Sequence, residues 1–229
     1  VTRRRLASGK ETVQSVAEKL MTGVGETHRS VSSDRPVIWG HAVGVGELLA
    51  LFGLFKKLSQ LMPNHHFLLT SHSRTSGEAV RKQGLPDRFH HQFAPIDHPQ
   101  VMQRFLDLWR PTVACWSETD LWPGMVTWTA QRNIPMLMFN LRVDAQKEDR
   151  LKRLKWFYQP LLSCFTRLYP QNASSAFAMR SLGYGEQLAS VCGNIKALAP
   201  ALTCEPAERR LWQSLLADRP VWLLASSHA

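Results

Sequence analysis

Four short segments of this chain hold the residue types from which a reaction can be built. In HAVGVGE (His41 to Glu47) one acid, Glu47, follows two glycines, Gly44 and Gly46. In WSETDLWP (Trp116 to Pro123) Glu118 and Asp120 stand two positions apart between two tryptophans. Asn140 and Arg142 open the segment NLRVD (Asn140 to Asp144), and GNIK (Gly193 to Lys196) ends on Lys196. A carboxylate within hydrogen-bond reach of a hydroxyl can take its proton in general-base catalysis. A second acid or a lysine can act on charge that develops in the transition state, and an arginine can bind an anionic substrate group. Each residue also has a plainer reading. Glu47 can be an acid that favours a helix start, Glu118 or Asp120 a cap, Arg142 a surface partner of Asp144, and Lys196 a solvated loop lysine. The GVG before Glu47 lacks both the full G-x-G-x-x-G pattern and the Walker Lys-Ser/Thr, so the glycines are better suited to a tight turn or a close ligand than to a nucleotide loop.

All four segments follow apolar runs with strand character, which puts them at strand ends. From Val37 onward short apolar runs (VIW, HFLLTS, HQFAPI, TVACWS, IPMLMFN, TRLYPQ) alternate with longer amphipathic ones, among them LLALFGLFKKLSQLM, HPQVMQRFLDLW and KEDRLKRLKWFYQPLL. That alternation predicts an α/β fold, a Rossmann-like parallel sheet with helices on both faces. In such sheets ligands bind outside the carboxyl ends of the strands. Residues 1–36 read as a polar arm with a helical stretch, ETVQSVAEKL (Glu11 to Leu20), and 37–197 as the Rossmann-like domain, closed by a last strand and turn at Ala189 to Lys196. Residues 198–229 read as a Pro-rich linker, a helix (Ala207 to Ala217) and a fresh buried strand from Arg219, the entrance to a second α/β domain.

Composition narrows the partners. A hydrophobic content of 44% with 20% charged residues is ordinary for a globular core. The net charge of +10 favours an anionic partner: nucleic acid, a phospholipid surface or a phosphorylated substrate. The stretch Lys147 to Leu162 reads as one helix, with five cations ahead of Trp156, Phe157 and Tyr158, a pattern that suits a membrane interface and also nucleic acid. Four dispersed cysteines, Cys115, Cys164, Cys192 and Cys204, read as reduced thiols. The nine histidines form no metal motif, so no metal is expected. No apolar run reaches the length of a membrane span, and the basic start lacks the apolar centre of a signal peptide.

HAVGVGE, SETDLWP (Ser117 to Pro123), FNLRVD (Phe139 to Asp144) and GNIK stand in the order and at the separations of the motifs of the 3-deoxy-D-manno-octulosonic acid (Kdo) transferases, which this chain resembles from about Gly9 to its last residue. The resemblance implies the N-terminal half of a GT-B glycosyltransferase, with a first domain for the acceptor and a second for CMP-Kdo. It also implies transfer of Kdo to a lipid A precursor in lipopolysaccharide assembly, at the cytoplasmic face of the bacterial inner membrane, with peripheral attachment to an anionic membrane surface and no metal or cofactor. By position Glu47 matches the general base, and Glu118 and Lys196 match residues that stabilise the transition state. Gly44, Gly46, Asn140 and Arg142 fall on the acceptor side. The family usually has Ser at Gly44, Glu at Asp120 and Phe-Asp after Lys196. A non-catalytic lipid-binding module, or a divergent paralogue with another acceptor, is the alternative; a nucleic-acid binder is disfavoured. Lacking the donor domain, the isolated chain is expected to be inactive.

Overall fold

The computed structural model describes residues 2–22, 35–200, 204–217, 219–222 and 224. In chain order the elements are α1 (Thr2–Ala7), α2 (Val13–Leu20), β1 (Val37–His41), α3 (Val45–Leu61), β2 (His66–Ser71), α4 (Arg74–Lys82), β3 (Phe89–Phe93) and α5 (Pro99–Trp109). They continue with β4 (Pro111–Ser117), α6 (Pro123–Gln131), β5 (Met136–Leu141), α7 (Ala145–Arg153), α8 (Lys155–Leu162), β6 (Arg167–Pro170), α9 (Ala173–Ser181) and α10 (Pro206–Leu216). Two 3-10 turns lie at Gly185–Gln187 and Ile195–Leu198. The six strands form one sheet in the order β3-β2-β1-β4-β5-β6, and every pairing is parallel. The order reverses between β1 and β4, which places the topological switch point there.

Alternation along the strands sorts two cores. Val37, Trp39, Ala114, Trp116, Met136 and Met138 turn to one face and pack with Phe105 and Trp109 of α5 and Leu161 and Leu162 of α8. Ile38, Phe67, Leu69 and Cys115 turn to the other and meet Leu48, Leu51, Phe52 and Phe55 of α3, together with Ile195. The Rossmann-like sheet with helices on both faces is therefore present as the alternation of apolar runs predicts.

Three local expectations change. The basic stretch Lys147 to Leu162 is two helices, because α7 ends and α8 begins around Leu154, six residues ahead of a proline inside α8, Pro160. Ala189 to Lys196 is not a strand. It runs beside β6 with an isolated bridge from Leu168 to Leu188 and bonds from the Ala189 and Cys192 N–H groups to Leu168 and Pro170 carbonyls, and then coils into the 3-10 turn. The segment from Arg219 carries no strand among its described residues, and Trp222 is 94% exposed; most of the rest of that segment lies outside the described residues.

The helix expected in the N-terminal arm forms as α2 and is latched to the sheet. Thr12 and Ser15 cap it reciprocally. The Glu18 carboxylate accepts from the Phe93 N–H at 2.8 Å, and Lys19 joins the buried Glu11 at 2.6 Å while donating to the His72 carbonyl. Beside this latch, burial pushes His72 down to about 4, with Lys19 adding to the effect. Burial and then Arg81 push His91 down to about 3.

On the opposite face Gly53 decides how close the chain can come to α3. A Cβ there would overlap the carbonyl of Leu198. The absent side chain thus lets the 3-10 turn lie directly on the helix.

Two outcomes are expected. Gly53→Ala should lower stability by roughly 1–3 kcal/mol, measured by urea unfolding, because backbone rather than a flexible side chain must move. Acid should also destabilise the fold. His72 and His91 have folded values below the ordinary 6.5, so their contribution is complete above that pH and is lost as pH falls through the folded values. Each lowers stability by up to about 1.4 kcal/mol per pH unit between those limits, and His72→Gln should flatten the slope between pH 6.5 and 4.

Candidate active site at the ends of β1 and β4

Glu47 occupies the first turn of α3, three residues past the N-cap Gly44. Its carboxylate folds back over that cap, and a Cβ on Gly44 would collide with it. Gly44 therefore serves as the floor on which the acid lies. Gly46 is exposed, and a Cβ there would stand 3.9 Å from the Lys196 side chain, so the position is open.

Glu118 is the first residue past β4. Its φ of 66° is left-handed, as is the 57° of Asn140 in the neighbouring strand β5. A non-glycine residue held there costs about 1 kcal/mol or more, less for asparagine, and persists only where its surroundings fix it. The fixing bonds are visible. The Glu118 N–H donates to the Phe139 carbonyl at 2.9 Å, and the Asn140 amide donates to Glu118 Oε1 at 3.0 Å. Glu118 is not needed as a cap for α6, because the Asp97 carboxylate reaches across from another loop to the Gly124 and Met125 N–H groups.

Lys196 joins the two acids. Its Nζ lies 2.6 Å from Glu47 Oε1 and 3.3 Å from Glu118 Oε1. The Asn194 carboxamide caps the turn by accepting from the Lys196 N–H, Ile195 is buried in the α3 core, and the seat over Gly53 fixes the distance to α3. Glu118, Lys196, Glu47 and Asn140 thus form one connected cluster across the switch point.

Electrostatics follow from the cluster. Burial raises the Glu47 carboxyl, but the hydrogen bond and charge of Lys196 together with its own backbone N–H outweigh that and leave it below its ordinary value. Lys196 is raised, chiefly by its bond to Glu47. Glu47 is 19% exposed, Lys196 41% and Glu118 38%, so the cluster faces solvent from one side.

The remaining expected residues are placed less centrally. Asn140 is buried at 2% and acts on Glu118, while its Oδ1 has no protein partner. Arg142 is exposed, close enough to Lys147 to lower that ammonium's pKa. It forms no ion pair with Asp144 among the described residues, and Asp144 instead caps α7 through the Lys147 N–H. The described residues contain no group of three or more potential ligands that could hold a metal ion. Sequence reasoning missed Gly53 as a positioning residue, although a glycine in mid-helix is a costly choice that signals close approach.

Comparison with known proteins follows the same outline. Residues 14–199 match the family described as 3-deoxy-D-manno-octulosonic-acid transferase (kdotransferase). A 3-deoxy-D-manno-octulosonic acid transferase of Haemophilus influenzae is 31% identical over 83% of this chain and 45% of its own length. One of Rickettsia bellii is 30% identical over 98% and 51%. A probable mitochondrial one of Arabidopsis thaliana is 26% identical over 84% and 46%. The chain thus spans about half the length of these curated relatives. Among solved structures, a putative UDP-N-acetylglucosamine 2-epimerase from Listeria monocytogenes superimposes with a TM-score of 0.53 at 10% identity, over 78% of this chain and 52% of that one. That likeness concerns the fold alone.

The ion pair sets a titration. Glu47 has a depressed folded value, so its contribution is present above the unfolded value and lost as pH falls through the folded one. Lys196 has a raised value, so its contribution is lost as pH rises through it. In carboxyl NMR titrations Glu47 should titrate below the ordinary 4.5. Lys196→Met should move it up, and Gly44→Ala should do the same by pushing the carboxylate off its floor.

Proposed function

The chain belongs to the 3-deoxy-D-manno-octulosonic acid (Kdo) transferase family, and from that premise we propose that it is the acceptor-side domain of a glycosyltransferase that moves Kdo from CMP-Kdo to a hydroxyl of a lipid A precursor. The observation that carries this reading is the single lysine bridging Glu47 and Glu118 at the switch point. A sugar hydroxyl is a poor nucleophile and needs a carboxylate to take its proton as the new bond forms. Glu47 is ionised at neutral pH and partly open to solvent.

In the proposed reaction the acceptor hydroxyl gives its proton to Glu47 while its oxygen bonds to the anomeric carbon of Kdo. The bond from that carbon to the CMP phosphate oxygen breaks, and CMP leaves with the electron pair. An ammonium resting on Glu47 makes it a weaker base. Lys196 therefore has to give way to the hydroxyl and turn toward the negative charge of the departing phosphate, where an oriented cation lowers the barrier. Glu118, locked by Asn140 and the strained backbone, stays in place to oppose positive charge developing on the sugar ring. Gly44 gives the Glu47 carboxylate its floor beside the acceptor, Gly46 leaves open room for the acceptor, and Arg142 at the rim meets an anionic group on it.

The proposal assigns the donor's nucleotide to a second Rossmann-like domain of a GT-B pair, in the half of the relatives that this chain does not span, and holds that the chain alone turns over no donor. No metal or cofactor takes part. Peripheral attachment to the anionic cytoplasmic face of the bacterial inner membrane fits the exposed Trp156 (76%) among the exposed Lys152, Arg153 and Lys155. No helix of the described residues is long and apolar enough to cross a membrane.

A transfer assay with CMP-Kdo and lipid A precursor tests the reading. The chain extended through a donor domain should transfer Kdo, and Glu47→Gln should reduce kcat by about a hundredfold or more while leaving acceptor binding intact. A non-catalytic lipid-binding module would show no transfer in either form. Turnover by the chain alone would contradict the assignment of the donor site.

A further inference from the structure

A cavity of about 680 Å³ opens beside Glu118, between the loop after β4 and the broken helix pair α7 and α8. Its polar wall carries Lys147, Arg150 and Arg153, and its apolar wall carries Leu151, Phe157 and Leu162. Leu151 and Leu162 are buried, and Phe157 packs against the same core.

The cations of this wall lack acidic partners. Among the described residues no ion pair includes Lys147, Arg150 or Arg153. The acids that share the cavity are already engaged: Asp144 accepts from the Lys147 N–H, and Glu118 is held by Asn140 and Lys196. Asp120 is exposed. The Arg150 guanidinium lies 5.8 Å from the centre of the Tyr158 ring, which keeps its fork at the cavity. Lys147 is half-buried, and its ammonium is depressed by burial despite Glu118 and Asp144. A cation so placed gains most from an anion that arrives with its own charge and excludes water.

We propose that this cavity is the acceptor's phosphate subsite, taking a phosphate monoester on an acylated sugar. The phosphate sits between Lys147 and Arg150, and the start of an acyl chain lies along Leu151, Phe157 and Leu162. This inference rests on the acceptor-side reading above and makes it more specific: the head meets the cations of α7, and the chain passes the break at Leu154, from Leu151 of α7 to Phe157 and Leu162 of α8. Monododecyl phosphate, used below its micellar concentration, carries both chemistries without a sugar.

Calorimetric titration of the chain with monododecyl phosphate tests it without any donor or turnover. Binding should exceed that of inorganic phosphate and of dodecyl maltoside by about tenfold or more, and Lys147→Met should remove about tenfold. Arg150→Gln, at an exposed position, serves if Lys147→Met lowers the melting temperature. Lys57→Met on α3 and Glu47→Gln should bind as the parent does. Equal binding by Lys147→Met and Arg150→Gln, or equal binding of inorganic phosphate or of the uncharged detergent, would overturn the subsite. Because Glu47→Gln affects transfer and not this titration, failure here and failure of the catalytic reading are separable.

Discussion

The bridge from Lys196 to Glu47 and Glu118 ties together three segments that the sheet alone would leave as separate loops. β1 leads to Glu47 through the Gly44 cap, and β4 delivers Glu118 on a left-handed turn. Neither strand constrains the other acid's side chain. Lys196 does so from a third direction, and its position depends on a four-residue 3-10 turn seated on α3 at Gly53. Remove that seat and the two acids repel each other across the crevice without a shared cation.

The same arrangement explains where the fold accepts local cost. A glycine in the middle of α3 sacrifices helix propensity, and two non-glycine residues at φ values of 66° and 57° sacrifice backbone comfort. All three lie in or under the cluster. Four helices elsewhere are capped conventionally, with Thr12, Ser73, Asp144 and Asn172 accepting from the first turns of their helices. Left-handed non-glycine residues also stand at helix ends, at Met21, Arg110 and Asn133; those of the switch point differ in being bonded to each other through the Asn140 amide and Glu118, with Asn140 Oδ1 left without a protein partner.

Much of this was legible in the residues. Apolar runs of strand length alternating with amphipathic ones gave the layers, and the habit of polar residues following each run pointed to Glu47, Glu118, Asn140 and Lys196. Sequence could not show that Lys196 crosses back over α3, because the extended run before it looks like a strand and only the unpaired geometry beside β6 turns it into a 3-10 coil. Nor could spacing show the break at Leu154: the basic and aromatic residues keep helical periodicity on both sides, and what changes is the backbone at Leu154, whose φ of -108° and ψ of 33° leave the helical region. Arg142 illustrates the opposite case, a plausible ligand whose exposed place at the rim becomes visible only once β5 is given its register.

A double-mutant cycle between Glu47 and Lys196 reaches the central claim most directly. Urea unfolding of the parent, Glu47→Gln, Lys196→Met and the double variant at pH 7 should give a coupling of about 0.5 kcal/mol or more, the lower end for residues in direct contact. Additive effects would mean that the lysine does not rest on the acid, and the three-residue site would not exist as a unit.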